Sequence, residues 1–143
     1  MIVIRAFKQS DMEQVLEIWL EASIEAHDFI GKEFWESRLV DMRDVYLPSG
    51  ETCVYEEDGS IKGFASLCGN NLAALFVLPD CQRRGIGTRL MAKAKNVRDR
   101  LQLTVYKENS KAIEFYKKCG FEIIKEQIDK HTGHKEFLMG FKY

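Results

Sequence analysis

Leu72-Ala73-Ala74-Leu75-Phe76-Val77-Leu78 is an unbroken apolar run of strand length, closed by Pro79. A strand with no polar alternation has to be covered on both faces, which places it at the centre of a sheet flanked by helices. Directly after it come Gln82-Arg83-Arg84-Gly85-Ile86-Gly87-Thr88 and then a helical apolar period. The chain thus sends a buried strand through a short glycine-containing loop into a helix N-terminus. At 143 residues it is sized for one core, so residues 1–143 are expected to form a single domain without disulfides or structural metal.

The remaining elements follow from changes of period. Ile2 to Ala6 reads as a first strand, and Ser10-Asp11 offers an N-cap for an amphipathic helix whose Met12, Val15, Leu16, Trp19 and Leu20 share one face. The pattern lapses around Ala26 to Phe29. A second helical period through Phe34, Trp35, Leu39 and Met42 is stopped by Pro48-Ser49-Gly50. Strands are expected from Thr52 to Tyr55 and from Ile61 to Cys68 around the Asp58-Gly59 hairpin turn, with Asn70-Asn71 as the next turn. A helix from Gly85 to Val97 buries Ile86, Leu90, Ala94 and Val97. Leu101 to Val105 forms a further strand, Asn109-Ser110 caps a helix ending at Cys119-Gly120, and Phe121 to Ile128 pairs with Phe137 to Phe141 around Thr132-Gly133. The predicted order is β-α-α-β-β-β-α-β-α-β-β, an α/β chain with a mixed sheet.

The loop at residues 82 to 88 is an anion site by its construction. Gly85 and Gly87 remove side chains that would block close approach, backbone N–H groups turn toward the ligand, and the helix dipole adds favourable potential. Arg83 and Arg84 are candidates for charge-assisted bonds. A nucleoside-triphosphate loop would need Gly-Lys-Ser/Thr, and a dinucleotide fingerprint would need glycine or alanine where Leu90 stands, so neither applies. With 21 basic and 22 acidic residues the chain has no general attraction for nucleic acid or anionic lipid, and neither is expected as a partner. No segment approaches the ~20 apolar residues of a membrane span and the N-terminus lacks a signal-peptide pattern, so a cytoplasmic location is expected. Four dispersed cysteines read as reduced thiols, mostly buried. His131 and His134 flank a turn without further ligands, so no metal site is expected.

Together with Asn109-Ser110-Lys111-Ala112-Ile113-Glu114-Phe115-Tyr116-Lys117-Lys118-Cys119-Gly120-Phe121, the upstream loop strongly resembles the GCN5-related N-acetyltransferase (GNAT) family. The resemblance covers nearly the whole chain, because the element order matches that family's mixed sheet splayed open beside the cofactor. It implies acetyl-CoA as co-substrate and an amine as acceptor. Residue by residue, it implies that Phe76 and Val77 offer backbone groups to the pantetheine arm and thioester. Gln82, Arg83, Arg84, Gly85, Ile86, Gly87 and Thr88 would wrap the pyrophosphate. Asn109 would bond the cofactor from the far side, and Tyr116 would protonate the departing thiolate. Within the family the chain is most similar to small bacterial stand-alone acetyltransferases with a His-Asp-Phe segment, here His27-Asp28-Phe29, in the first interhelix loop.

The residue types fit direct transfer. The amine must be neutral to attack, and charge then builds on the carbonyl oxygen and the leaving sulfur. A phenol of pKa about 10 lies near a thiol of about 8.5, so Tyr116 can act as general acid. Core packing is its bland alternative, since Ala112, Phe115, Tyr116 and Cys119 share a helical face. Asn109 can serve as N-cap and cofactor ligand at once. His27, Asp28 and Phe29 are the candidates for acceptor contact, with His27 or water as general base. The rival function is a non-catalytic acyl-CoA-binding or regulatory module. The acceptor's identity is open, as is the choice between monomer and homodimer.

Overall fold

A computed structural model describes residues 1–142. Its strands are β1 (Ile2–Ala6), β2 (Glu51–Glu57), β3 (Ser60–Cys68), β4 (Asn71–Val77), β5 (Arg100–Tyr106), β6 (Glu122–Ile128) and β7 (Lys135–Lys142). They form one sheet in the order β1-β2-β3-β4-β5-β7-β6, antiparallel throughout except for the parallel β4–β5 junction. The helices are α1 (Met12–Ala26), α2 (Lys32–Ser37), α3 (Leu39–Asp41), α4 (Leu47–Ser49), α5 (Ile86–Val97) and α6 (Ser110–Lys118). No helix among the described residues is long and apolar enough to cross a membrane.

Two apolar cores lie on opposite faces of the sheet. On one, Val15, Ile18 and Trp19 of α1 pack with Val54, Ile61, Phe64 and Ala74. On the other, Ile86, Leu90, Met91 and Ala94 of α5 pack with Tyr55, Ala65, Leu67, Leu72 and the β5–β7 residues Leu101, Leu103 and Met139. Strand β4 is therefore central and buried from both sides, as its unbroken apolar run requires. Its cover is incomplete at one point. The β3–β4 register slips between Ser66 and Leu67, leaving Ala73 without a partner and exposed.

Several expectations shift in detail. The second helical region is broken at Arg38 and passes through a π-helical turn at Met42–Tyr46 before α4. Within that turn the Leu47 N–H reaches back five residues to the Met42 carbonyl. The wider turn comes just before Pro48, which lacks an N–H and cannot sit in a regular helical ladder. In α1, Ile18 is buried while Leu16 and Leu20 are only partly so. Helix α5 starts at Ile86, with Gly85 as a left-handed N-cap, and Val97 at its far end is exposed rather than buried. The β3–β4 turn is Gly69-Asn70, and Asn71 already pairs with Cys68. Cys68 is exposed, and of the four free thiols only Cys81 is fully buried. The Asp58-Gly59 hairpin has positive φ at both residues, 52° and 86°, the geometry that matches the twist of its strands.

Leu90 is 0% exposed at the centre of the α5 contact with the sheet. Leu90→Ala is expected to lower stability by about 2–5 kcal/mol, read as a shift of the urea midpoint at unchanged slope.

Candidate active site

The parallel junction of β4 with β5 consists of a single pair, Asn71↔Gln102. Beyond it the strands diverge, while β4 stays paired with β3 as far as Gly63↔Val77 and β5 stays paired with β7 along its whole length. The sheet centre is thus a wedge, and from Ala74 to Val77 one backbone edge of β4 has no strand beside it. Phe76 stands at this wedge, half-buried, with its ring stacked on Phe64 at 5.8 Å. Val77 ends the strand, and its carbonyl accepts a bond of 3.2 Å from the Gln82 side-chain amide. This bond folds the following loop back over the strand end.

That loop carries the most distinctive backbone of the molecule. Arg83 and Gly85 both have positive φ, 66° and 82°. Among the described residues, the N–H groups of Arg83, Arg84, Gly85, Ile86, Gly87 and Thr88 have no backbone acceptor, and the first ladder bond is Arg89 N–H to Gly85 O at 3.1 Å. Successive free donors at a helix N-terminus are what a pyrophosphate needs. The two arginines divide. Arg83 is exposed, whereas Arg84 is bound to the Glu57 carboxylate of β2 through bonds of 2.7 and 3.0 Å. The glycines divide too. Gly85 supplies the left-handed turn, while a Cβ on Gly87 would come within 3.3 Å of the Phe115 ring, so Gly87 sets the close approach of α5 to α6. Ile86 is core, and Thr88 is exposed.

Helix α6 packs beside α5 in the same core. Asn109 is its N-cap, with Oδ1 accepting from Ala112 N–H at 3.3 Å. Its Nδ2 lies 3.4 Å from His27 Nε2. Tyr116, two turns further on, packs between Phe115 and Phe121. Among the described residues its hydroxyl has no hydrogen-bond partner, and burial pushes its pKa up to about 12. The phenol therefore stays protonated at neutral pH, as a donor must. The shift also makes complete proton transfer to a thiolate steeper than the reference values imply.

His27 is not a surface loop residue. It caps the C-terminus of α1, is 8% exposed and stacks on Trp35 at 4.9 Å, with Tyr106 and Phe29 edge-on at 5.1 and 5.9 Å. Burial lowers its pKa to about 4, so the ring is neutral at pH 7 and Nε2 can accept from Asn109. Phe29 is half-buried against Tyr106 and His134, and Asp28 is exposed.

A cleft of about 170 Å³ opens on this side, lined by Trp19, Trp35, Arg38, Tyr106 and Asp129 among others. Sequence periodicity assigns these residues to core or turn and does not single them out. Tyr106 is merely the end of an alternating strand. Asp129 lies in the last hairpin, where it accepts from the His131 amide at 2.9 Å and the Thr132 hydroxyl at 3.2 Å, as turn aspartates do. It also accepts from the Tyr106 hydroxyl. Only a tyrosine ending one strand beside an aspartate ending another could have hinted at the pair.

Comparison with known proteins decides the family. Residues 48–123 match the model of the acetyltransferase (GNAT) domain. The chain belongs to the GNAT acetyltransferase family. It is an N-acetyltransferase, and acetyl-CoA fits as its co-substrate. Among proteins similar to this GNAT chain, the Escherichia coli peptidyl-lysine N-acetyltransferase YiaC is 41% identical over 123 residues, covering 85% of this chain and 84% of that one. The E. coli peptidyl-lysine N-acetyltransferase YjaB is 32% identical over 85% of this chain and 83% of its own length. The solution structure of apo YjaB superposes with a TM-score of 0.87 at 26% identity, covering 99% of this chain and 97% of that one. The PaiA N-acetyltransferase of Thermoplasma acidophilum, determined with coenzyme A, has the same fold, with a TM-score of 0.84 at 22% identity over 100% and 99% of the two chains.

The buried His27 gives a test of this geometry. Its folded pKa of about 4 lies below the unfolded value of 6.5, so the unfolded chain binds the extra proton first. Stability is full above pH 6.5 and is lost as pH falls toward 4, by up to about 3 kcal/mol in all. Thermal melts from pH 7.5 to 5 should show the melting temperature falling, and His27→Gln should flatten that slope.

Proposed function

We propose that this chain transfers the acetyl group of acetyl-CoA directly to the ε-amine of a peptide lysine, without a covalent enzyme intermediate. The observation that carries the reading is the wedge between β4 and β5. The unpaired edge of β4 runs into the loop with the free amides at residues 83 to 88, and its Phe76 packs in the same apolar cluster as Trp35 and Tyr106, which line a cleft walled by α1, α2 and the last hairpin. Acetyl donor and amine can therefore meet at the edge of β4. The lysine acceptor follows from YiaC and YjaB, peptidyl-lysine N-acetyltransferases that match 85% of the chain at 41% and 32% identity.

In this reading the amides of residues 83 to 88 hold the pyrophosphate, with Arg83 adding charge at the surface. The free backbone edge at Phe76 and Val77 holds the pantetheine arm, and its N–H groups offer hydrogen bonds to the thioester oxygen as charge builds there. Asn109 orients the start of α6. Tyr116 then donates to the sulfur as the carbon–sulfur bond breaks and the carbon–nitrogen bond forms. The proton released from the amine goes to water, because neutral His27, with a pKa of about 4, is a poor base for an alkylammonium.

Tyr116→Phe removes only a hydroxyl that has no partner among the described residues, so stability should be preserved. Loss of a general acid is expected to lower kcat for a lysine peptide by roughly 10²–10⁴-fold while the KM for acetyl-CoA stays nearly constant. A steady-state assay of CoA release checks both numbers, and an unchanged kcat would remove Tyr116 from the mechanism.

A further inference from the structure

We propose that Asp129, held in place by Tyr106, reads the positive charge of the acceptor amine, and that the cleft before it admits one alkylammonium chain rather than a polyamine or an uncharged amine. The assignment rests on the direct-transfer reading above and names what the acceptor site selects.

The walls of the cleft are largely aromatic, with Trp19, Phe34, Trp35, Tyr46 and Tyr106 among them, and Asp129 is the only carboxylate in the lining. Aromatic faces cover the methylene stem of a long side chain and favour a cation near them. A single carboxylate among them fixes where that cation stops.

Asp129 is built to stay charged and stay still. Burial pushes its carboxyl pKa up, but the Tyr106 hydroxyl, the His131 amide and the Thr132 hydroxyl all donate to it and hold it below the usual aspartate value. Tyr106 is half-buried, and burial together with the carboxylate keeps its phenol protonated. Because its hydrogen is committed to Asp129, its oxygen is left as an acceptor. An N–H of the substrate nitrogen can bond to that oxygen both before and after the nitrogen loses its proton. The pair therefore selects a cation on entry without requiring it to remain one.

Besides Asp129, the described lining carries a guanidinium, that of Arg38, and no second carboxylate. Arg38, at the C-terminus of α2, lies 2.9 Å from His131 Nδ1, 3.4 Å from Asp41 and 5.4 Å from the centre of the Phe34 ring. A second ammonium on the acceptor would face this guanidinium, which disfavours spermidine-like polyamines.

The test uses the full chain with acetyl-CoA and three acceptors: Nα-acetyl-lysine amide, spermidine, and hydroxylamine, which is uncharged at pH 7.5. Asp129→Asn keeps an oxygen for the hairpin turn and for Tyr106 while removing the charge. It is expected to lower the ratio of kcat/KM for the lysine probe to that for hydroxylamine by roughly 10–100-fold, the range expected for loss of a charged hydrogen-bond partner. The loss should reside in the KM of the lysine probe, with the KM for acetyl-CoA unaffected. Tyr106→Phe should give a smaller loss of the same kind, and Arg38→Gln should raise the rate with spermidine relative to the lysine probe. Equal losses for the lysine probe and hydroxylamine, or an unchanged ratio in Asp129→Asn, would overturn the assignment. Absence of turnover with every amine would overturn the direct-transfer reading, and the assignment with it.

Discussion

Everything at this site depends on β4 and β5 being joined by one residue pair. Strand β5 makes a full ladder with β7, from Arg100↔Lys142 to Tyr106↔Glu136, and β4 makes one with β3. The sheet is therefore two well-paired halves hinged at Asn71 and Gln102. What keeps the wedge open is packing on either face. Helix α5 spans both halves from one side, with Leu90 and Met91 against residues of β2, β3, β5 and β7, while α1 and Trp35 fill the other. Closing the strands would require both helices to move out of filled cores, which close packing opposes. The unpaired polar groups along β4 must then find partners in water or a bound molecule. An extended, amide-containing chain such as a pantetheine arm satisfies them as a strand would.

The near neutrality of the sequence does not conflict with an anion site built from backbone. A loop with several unbonded N–H groups and a helix dipole attracts an anion without concentrating lysine and arginine around it. Arg84, which the sequence groups with the candidate phosphate ligands, ties the loop to β2 through Glu57. Its side chain fixes the path of the loop, while the backbone N–H groups beside it stay without a backbone acceptor among the described residues. The same separation holds for the glycines, where position 85 sets the turn and position 87 lets α6 come close.

The central strand, the loop and the two helices that follow were legible because their signals are local. Seven apolar residues in a row, glycines at a helix start and an Asn-Ser cap each act within a few positions. The acceptor side was not legible for the opposite reason. Trp35, Tyr106 and Asp129 come from three distant segments, and each satisfies a bland local rule: a helical apolar period, the end of an alternating strand, and a turn aspartate. They come together only where α2, β5 and the β6–β7 hairpin converge. The surroundings of His27 were hidden differently, since a histidine at a break in a helical pattern reads as loop and nothing local reports its burial. Burial against Trp35 and Tyr106 makes it a neutral core residue instead. The break at Arg38 and the π-helical turn also escape a 3.6-residue period, which registers apolar spacing but not a slipped ladder.

His27 and Asn109 link the two sides of the wedge. Asn109 caps the helix that carries Tyr116, and its amide reaches the ring that stacks on Trp35, a wall of the acceptor cleft. With Oδ1 accepting from Ala112, the amide has only its N–H groups to offer, so His27 must present a lone pair and cannot be protonated there. Burial enforces that state by taking the ring away from water. The position of α6, and with it Tyr116, is thus coupled to the uncharged condition of a side chain on the acceptor side.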